Sequence, residues 1–122
     1  MPKHPLSQRI DDVLSVQPEA AALEHDRQWV SWGQLDTLAT RIGRLVGDHR
    51  PQVGILLRNR PAQVAALLGV LRYGATVVVI NPSRGGERLK TDVSELALPL
   101  LIGEPEDLAM LDGPGDTTTV SI

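Results

Sequence analysis

Two short stretches carry the side chains best suited to holding an anion: Arg58-Asn59-Arg60 and Asn81-Pro82-Ser83-Arg84. A guanidinium offers paired N–H donors to a carboxylate or phosphate. A carboxamide offers both a donor and an acceptor. Each stretch follows an aliphatic run, and open α/β sheets bind ligands beyond the carboxyl ends of their strands. Asn59, Arg60, Asn81 and Arg84 are therefore the candidate ligand-binding residues. The same residue types also have a plainer use. Asn bonds nearby backbone and so shapes turns, and arginines commonly face water. Turn-shaping is the more usual role, and both remain open from the residues alone.

Elsewhere the pattern offers no catalytic residue and no metal ligand set. His4, His25 and His49 sit in a tail, a turn and a loop, without the spacing of metal ligands. The absence of cysteine excludes disulfides, thiolate metal sites and thiol nucleophiles, and fits a reducing compartment. Ser31, Ser83, Ser94 and Ser121 lack the setting of a nucleophile elbow. No glycine-rich phosphate loop is present. Gly85-Gly86 reads as a flexible start to a helix. Glu104, Glu106 and Asp107 read as an ordinary solvated charge group at a helix start.

These residues must be positioned by the elements between them. Residues 7–17 read as a helix with Ile10, Val13 and Leu14 on one face, ended by Pro18. Ala20 to Glu24 and Gln28 to Ser31 read as a hairpin turning through His25-Asp26-Arg27. Ser31 and Gln34 have capping-box spacing. Leu35, Leu38, Ala39, Ile42, Leu45 and Val46 follow at helical spacing, with Gly47 as the stop.

Val53–Leu57, Val77–Ile80 and Leu100–Ile102 are continuous apolar runs, the pattern of strands buried on both faces in a parallel sheet. Pro61 opens a helix whose buried stripe is expected to be Val64, Leu67, Leu68 and Leu71, closed by Gly74. A second crossover helix spans about Gly85 to Ala97, with Leu89, Val93, Leu96 and Ala97 on one face. Glu104 to Leu111 reads as a short helix, Gly113-Pro114-Gly115 as a break, and Thr117 to Ile122 as a β-branched strand. The expected architecture is α/β: a small, mostly parallel sheet with crossover helices on both faces and a short N-terminal hairpin, in one unit spanning residues 1–122. A strand at the chain end leads us to expect that the natural protein continues past Ile122.

With a net charge of -3 and dispersed Arg41, Arg44, Arg58, Arg60, Arg84, Arg88 and Lys90, the chain has no basic face for nucleic acid. Its aromatics are Trp29, Trp32 and Tyr73, too few to stack bases. Met1-Pro2-Lys3-His4-Pro5 is no signal peptide. The apolar runs fall short of the ~20 residues of a membrane span. A cytoplasmic protein is expected.

Several stretches taken together resemble the N-terminal subdomain of the adenylate-forming superfamily, most closely the acyl-CoA synthetases. Trp29-Val30-Ser31-Trp32-Gly33-Gln34-Leu35 is similar to that family's approach to its first long helix, and Ala39–Leu45 to the helix itself. Val53–Pro61 resembles its strand and Asn-x-Pro turn, although Arg58 replaces a small or apolar residue. Ala65–Ala75 is similar to its alanine- and glycine-rich helix, and Val77–Pro82 and Leu100–Ile102 to its next two strands. The resemblance covers about residues 10 to 112.

It implies a parent enzyme that adenylates a carboxylate with ATP and passes the acyl group to a thiol, with Mg and coenzyme A involved. The family's phosphate loop, acidic Mg ligand, ribose-binding Asp and mobile Lys have no counterparts in these residues. The implied identity is a catalytically inactive N-terminal part of an acid–thiol ligase whose principal partner is the remainder of its own chain. The Asn81-Pro82 pair favours an acyl-CoA synthetase acting on a fatty or other organic acid. The alternative is a stand-alone, non-catalytic α/β binding module that dimerises through an open sheet edge.

Overall fold

The computed structural model describes residues 5–47, 52–111 and 117–122. His4, His49 and the expected Gly113-Pro114-Gly115 break lie outside them. Helix α1 (Pro5–Val16) leads into a hairpin of β1 (Ala21–His25) and β2 (Gln28–Ser31), then helix α2 (Trp32–Val46). Strand β3 (Gln52–Leu56), helix α3 (Pro61–Arg72), strand β4 (Thr76–Ile80) and a single 3-10 turn (Pro82–Arg84) follow. Helix α4 (Gly86–Leu96), strand β5 (Leu100–Gly103), helix α5 (Pro105–Ala109) and strand β6 (Thr118–Ser121) complete the order. The main sheet runs β4-β3-β5-β6 with every neighbouring pair parallel. The expected α/β architecture is therefore present, with the hairpin as a separate two-stranded sheet.

Alternation along β3 divides the core. Val53 and Ile55 pack into a cluster with Ile42 and Val46 of α2 and Ala66 and Val70 of α3. Leu56 turns to the other face and packs with Leu89 and Val93 of α4 and with Leu101. Side chains on a strand point alternately to opposite faces, so a strand covered on both sides must be apolar throughout. Parallel neighbours also need crossovers, which lay helices on the sheet.

Local signals explain the helix ends. The Ser31 backbone N–H donates to Gln34 Oε1 at 2.8 Å, and the Gln34 N–H donates to Ser31 Oγ at 3.1 Å. Gly47 stops α2 at φ 74°, where a side chain would be strained. Pro61 occupies the first turn of α3. In the hairpin, His25 pairs with Gln28, so the loop is only Asp26 and Arg27. Both have positive φ, as a two-residue turn requires to match strand twist.

Four expected helix faces need correction. On α1, Ile10 and Leu14 are buried but Val13 is exposed. On α2, Leu45 is 62% exposed. On α4, Leu96 is exposed and Ala97 caps the helix in the left-handed region, which takes it off the apolar face. The α3 stripe is the largest miss. Val64, Leu67, Leu68 and Leu71 are half-buried, while Gln63, Ala65, Ala66, Gly69 and Val70 are buried.

The reason is that α3 lies between two layers. Ala66 and Val70 face the sheet, while Ala65 meets Ile10, Leu14 and Leu35 in an outer cluster. With two opposite sides covered, no single 3.6-residue stripe marks the core. Arg72, at the end of α3, donates to both Asp11 of α1 and Asp36 of α2, tying the three helices at one point.

Close approach of α2 and α3 depends on small residues. A Cβ on Gly69 would lie 2.5 Å from the Ala39 carbonyl oxygen, and one on Gly43 would strike the Tyr73 ring. Gly69→Ala forces backbone apart and is expected to cost ~1–3 kcal/mol, as overpacking does. Urea titration checks this; an unchanged midpoint would show that the helices are not in contact at Ala39.

Candidate functional site

Strands β3 and β4 finish side by side, with Leu56 opposite Ile80. The Leu57 N–H continues the ladder, donating to the Ile80 carbonyl at 3.0 Å. The two candidate stretches therefore leave the sheet together, at its carboxyl edge. Between them lies an open cleft of about 480 Å³ lined by Leu57, Arg58, Asn59, Val79, Asn81 and Ser83. A second open groove of about 430 Å³ shares Val79 and Asn81 and adds Arg84, Asp92, Glu95 and Leu96.

The candidate residues thus separate. Asn59 and Asn81 line the same cleft. Arg84 belongs to the neighbouring groove. Arg60 turns to Glu104, just after β5, and pairs with it. Asn81 also has internal work: its side-chain oxygen accepts from the Ser83 N–H at 2.9 Å, setting the turn that launches α4.

One residue read as solvated is buried, and it holds a second that is partly exposed. Arg58 grips Asp107 with both arms of the fork, Nε to Oδ2 and a terminal nitrogen to Oδ1, each at 2.7 Å. Asp107 is buried, its side chain only 4% exposed. The Asp107 hydrogen bond raises the Arg58 pKa above its ordinary value. Partial burial opposes this, and the negative charges of Asp107, Glu104 and Glu106 add to the rise. The folded chain holds that proton more tightly than the unfolded chain does. The resulting stabilisation is complete below the unfolded pKa and is lost only in strong alkali, so it is constant across neutral pH. The pair spans 49 residues, and no local spacing rule reaches that far.

The arrangement is poorly suited to a magnesium ion. Asp107 and Glu104 are occupied by Arg58 and Arg60. Among the described residues, no group of three or more His, Asp or Glu side chains stands together to hold a metal. Nor is any helix of these residues long and apolar enough to cross a membrane. What the strand ends can do is fix the loop after β3 to α5 and the turn after β4 to α4.

Gln63 escaped the sequence reading altogether. It sits in the first turn of α3, on the side shared by Ala66, Leu67 and Val70, and is 0% exposed. Neither its amide nitrogen nor its oxygen has a partner among the described residues. A buried, unpaired polar group costs ~1–3 kcal/mol. Gln63→Met keeps the shape without the polar atoms and is expected to stabilise the chain by about 1 kcal/mol. Thermal and urea unfolding measure it; a loss of stability would show that the carboxamide is satisfied by a bound water or another group.

The AMP-binding enzyme family matches residues 10–121. Syringomycin synthase SyrB1 of Pseudomonas syringae pv. syringae is 32% identical over 95 residues, covering 75% of this chain and 16% of its own. Curated relatives are mostly nonribosomal peptide synthetases, of which the chain spans a small part. Among solved structures, the peptide synthetase FmoA3 bound to alpha-methyl-L-serine-AMP superposes with a TM-score of 0.84 at 22% identity, over 98% of this chain and 14% of that one. The anthranilate CoA ligase AuaEII with anthranoyl-AMP gives 0.81 at 20% identity, over 100% of this chain and 26% of that one. These likenesses are likenesses of fold.

Proposed function

The chain belongs to the AMP-binding enzyme family, and on that premise we propose that it is the N-terminal scaffold of an ATP-dependent acid–thiol ligase. In the parent reaction, a substrate carboxylate oxygen attacks the α-phosphorus of ATP and pyrophosphate leaves. A thiol then attacks the acyl carbon of the resulting acyl adenylate, and AMP leaves. Magnesium at the phosphates and coenzyme A as one possible thiol belong to this proposal. We place the enzyme in the cytoplasm, where ATP is supplied.

The observation that carries the proposal is the family match over nearly the whole chain, joined to a β3 end whose Arg58 and Arg60 are paired with Asp107 and Glu104. Such residues set the position of loops. Arg58 and Arg60, so paired, offer no cationic cradle to spread charge in a phosphoryl transition state, which the chemistry requires. The part that reacts then lies in other residues of the parent. Asn59, Arg60, Asn81 and Arg84 remain candidates for contact with a ligand or with the parent at this edge.

Two readings of the substrate stand within the proposal. The first, drawn from the resemblance at the Asn81-Pro82 turn, is an acyl-CoA synthetase acting on a fatty or other organic acid. Asn81 uses its side-chain oxygen to accept from Ser83, and an aspartate would accept equally well. Asn rather than Asp at this turn therefore says little about the acid. The relatives favour the second reading, in which the parent activates an amino acid within a peptide synthetase.

ATP–pyrophosphate exchange tests both levels. The purified 122-residue chain is expected to give no acid-dependent exchange, and exchange above the acid-free blank would refute a scaffold role. A longer protein carrying these residues is expected to exchange with one class of acid, amino or non-amino. Folded, soluble protein that exchanges with neither would sink the ligase proposal.

A further inference from the structure

Among the described residues, β4 has β3 on one side and no strand on the other. Its sequence, Thr76-Val77-Val78-Val79-Ile80, contains no charge and no proline. These are the usual devices that keep an open edge from pairing, and β4 has neither. Val79 is 54% exposed and Leu96 43%, and both line the open groove beside this edge. Arg84 and Glu95 line it too. Helix α4 connects β4 to the parallel β5 and so runs back against the strand direction. Arg84 therefore stands at the carboxyl end of β4 and Glu95 towards its amino end. Asp92, between them, pairs with Arg88 at 3.2 Å. Neither Arg84 nor Glu95 has an ion-pair partner among the described residues.

We propose that the β4 edge is a self-association surface whose occupant is a second copy of this chain, its β4 antiparallel to the first about a two-fold axis through Val78. The charges select that orientation. Antiparallel pairing brings the carboxyl end of one β4 to the amino end of the other, so Arg84 of each copy faces Glu95 of the other. A two-fold axis makes the contact twice. A parallel arrangement would set Arg84 beside Arg84 and Glu95 beside Glu95. In the antiparallel register Val79 lies beside Val77 of the second copy, which removes the exposed valine from water. The two sheets become one continuous sheet of eight strands, formed from the four of each copy. This surface is independent of the reaction proposed for the parent.

The absence of native cysteine makes a direct test simple. Val78→Cys lies on the two-fold axis and is expected to form a disulfide dimer on mild oxidation. Thr76→Cys would sit about 14 Å from its own counterpart, at ~3.4 Å per residue, too far to bridge. It is expected to stay unlinked. Light scattering on the unmodified chain should show a concentration-dependent dimer. Arg84→Glu and Glu95→Arg, both at exposed positions, should each weaken it by about tenfold or more through like-charge contact. Combined, they should restore it to within a few-fold of the original. A chain that stays monomeric at every concentration, equal cross-linking at Thr76 and Val78, or a double variant as weak as the single ones would each overturn the proposal.

Discussion

Everything in this molecule hangs on β3 being covered on both faces and paired on both edges. Val53, Gly54, Ile55 and Leu56 are all buried, with β4 on one side and β5 on the other. A strand in that position cannot carry a polar side chain at low cost, which accounts for its unbroken aliphatic run. Parallel neighbours in turn require crossovers. One face takes α2 and α3, the other takes α4 and α5, and α1 and the hairpin close over α3. The outer layer packs through the apolar cluster around Leu14, Leu35 and Ala65, and Arg72 ties it to two other helices through Asp11 and Asp36.

The same constraint decides what the strand ends are for. The chain leaves β3 and β4 together, so Arg58, Asn59, Arg60, Asn81 and Arg84 gather at one edge. Proximity alone does not make them a binding constellation. Arg58 is held by a buried carboxylate, Arg60 by a partly buried one, and Asn81 by the backbone two residues on. Each interaction restrains a loop that a larger enzyme would need to keep in place. These hydrogen bonds go to loops and turns, in a fold that solved structures embed in much longer chains.

Much of the fold was legible in the sequence because the informative signals are local. The capping pair Ser31 and Gln34, the proline at the start of α3, and the three aliphatic strands depend on neighbours within a few residues. The misses share a cause. Leu45 and Leu96 fit a helical period yet face water, because periodicity identifies a face without saying how far the cover extends. On α3, burial from two opposite layers erased the stripe, and the alanines and glycine that permit close packing outrank the leucines. Asp107 looked solvated because its partner is far away in sequence. Gln63 was invisible because nothing in its neighbours' identities marks a buried amide. The strand-end candidates were found by a topological rule, but their partners required the tertiary structure.

The central claim is that these residues fold as a unit organised on β3, as the proposed scaffold role requires. Native-state hydrogen exchange on the 122-residue chain addresses it most directly, since exchange resolves local from global opening. The account predicts that the amides of Val53 to Leu56 are the slowest in the molecule and open only with global unfolding, while the β1–β2 hairpin exchanges sooner. Exchange of the β3 amides as fast as those of the hairpin would contradict it, and would show that this core forms only with the rest of the enzyme.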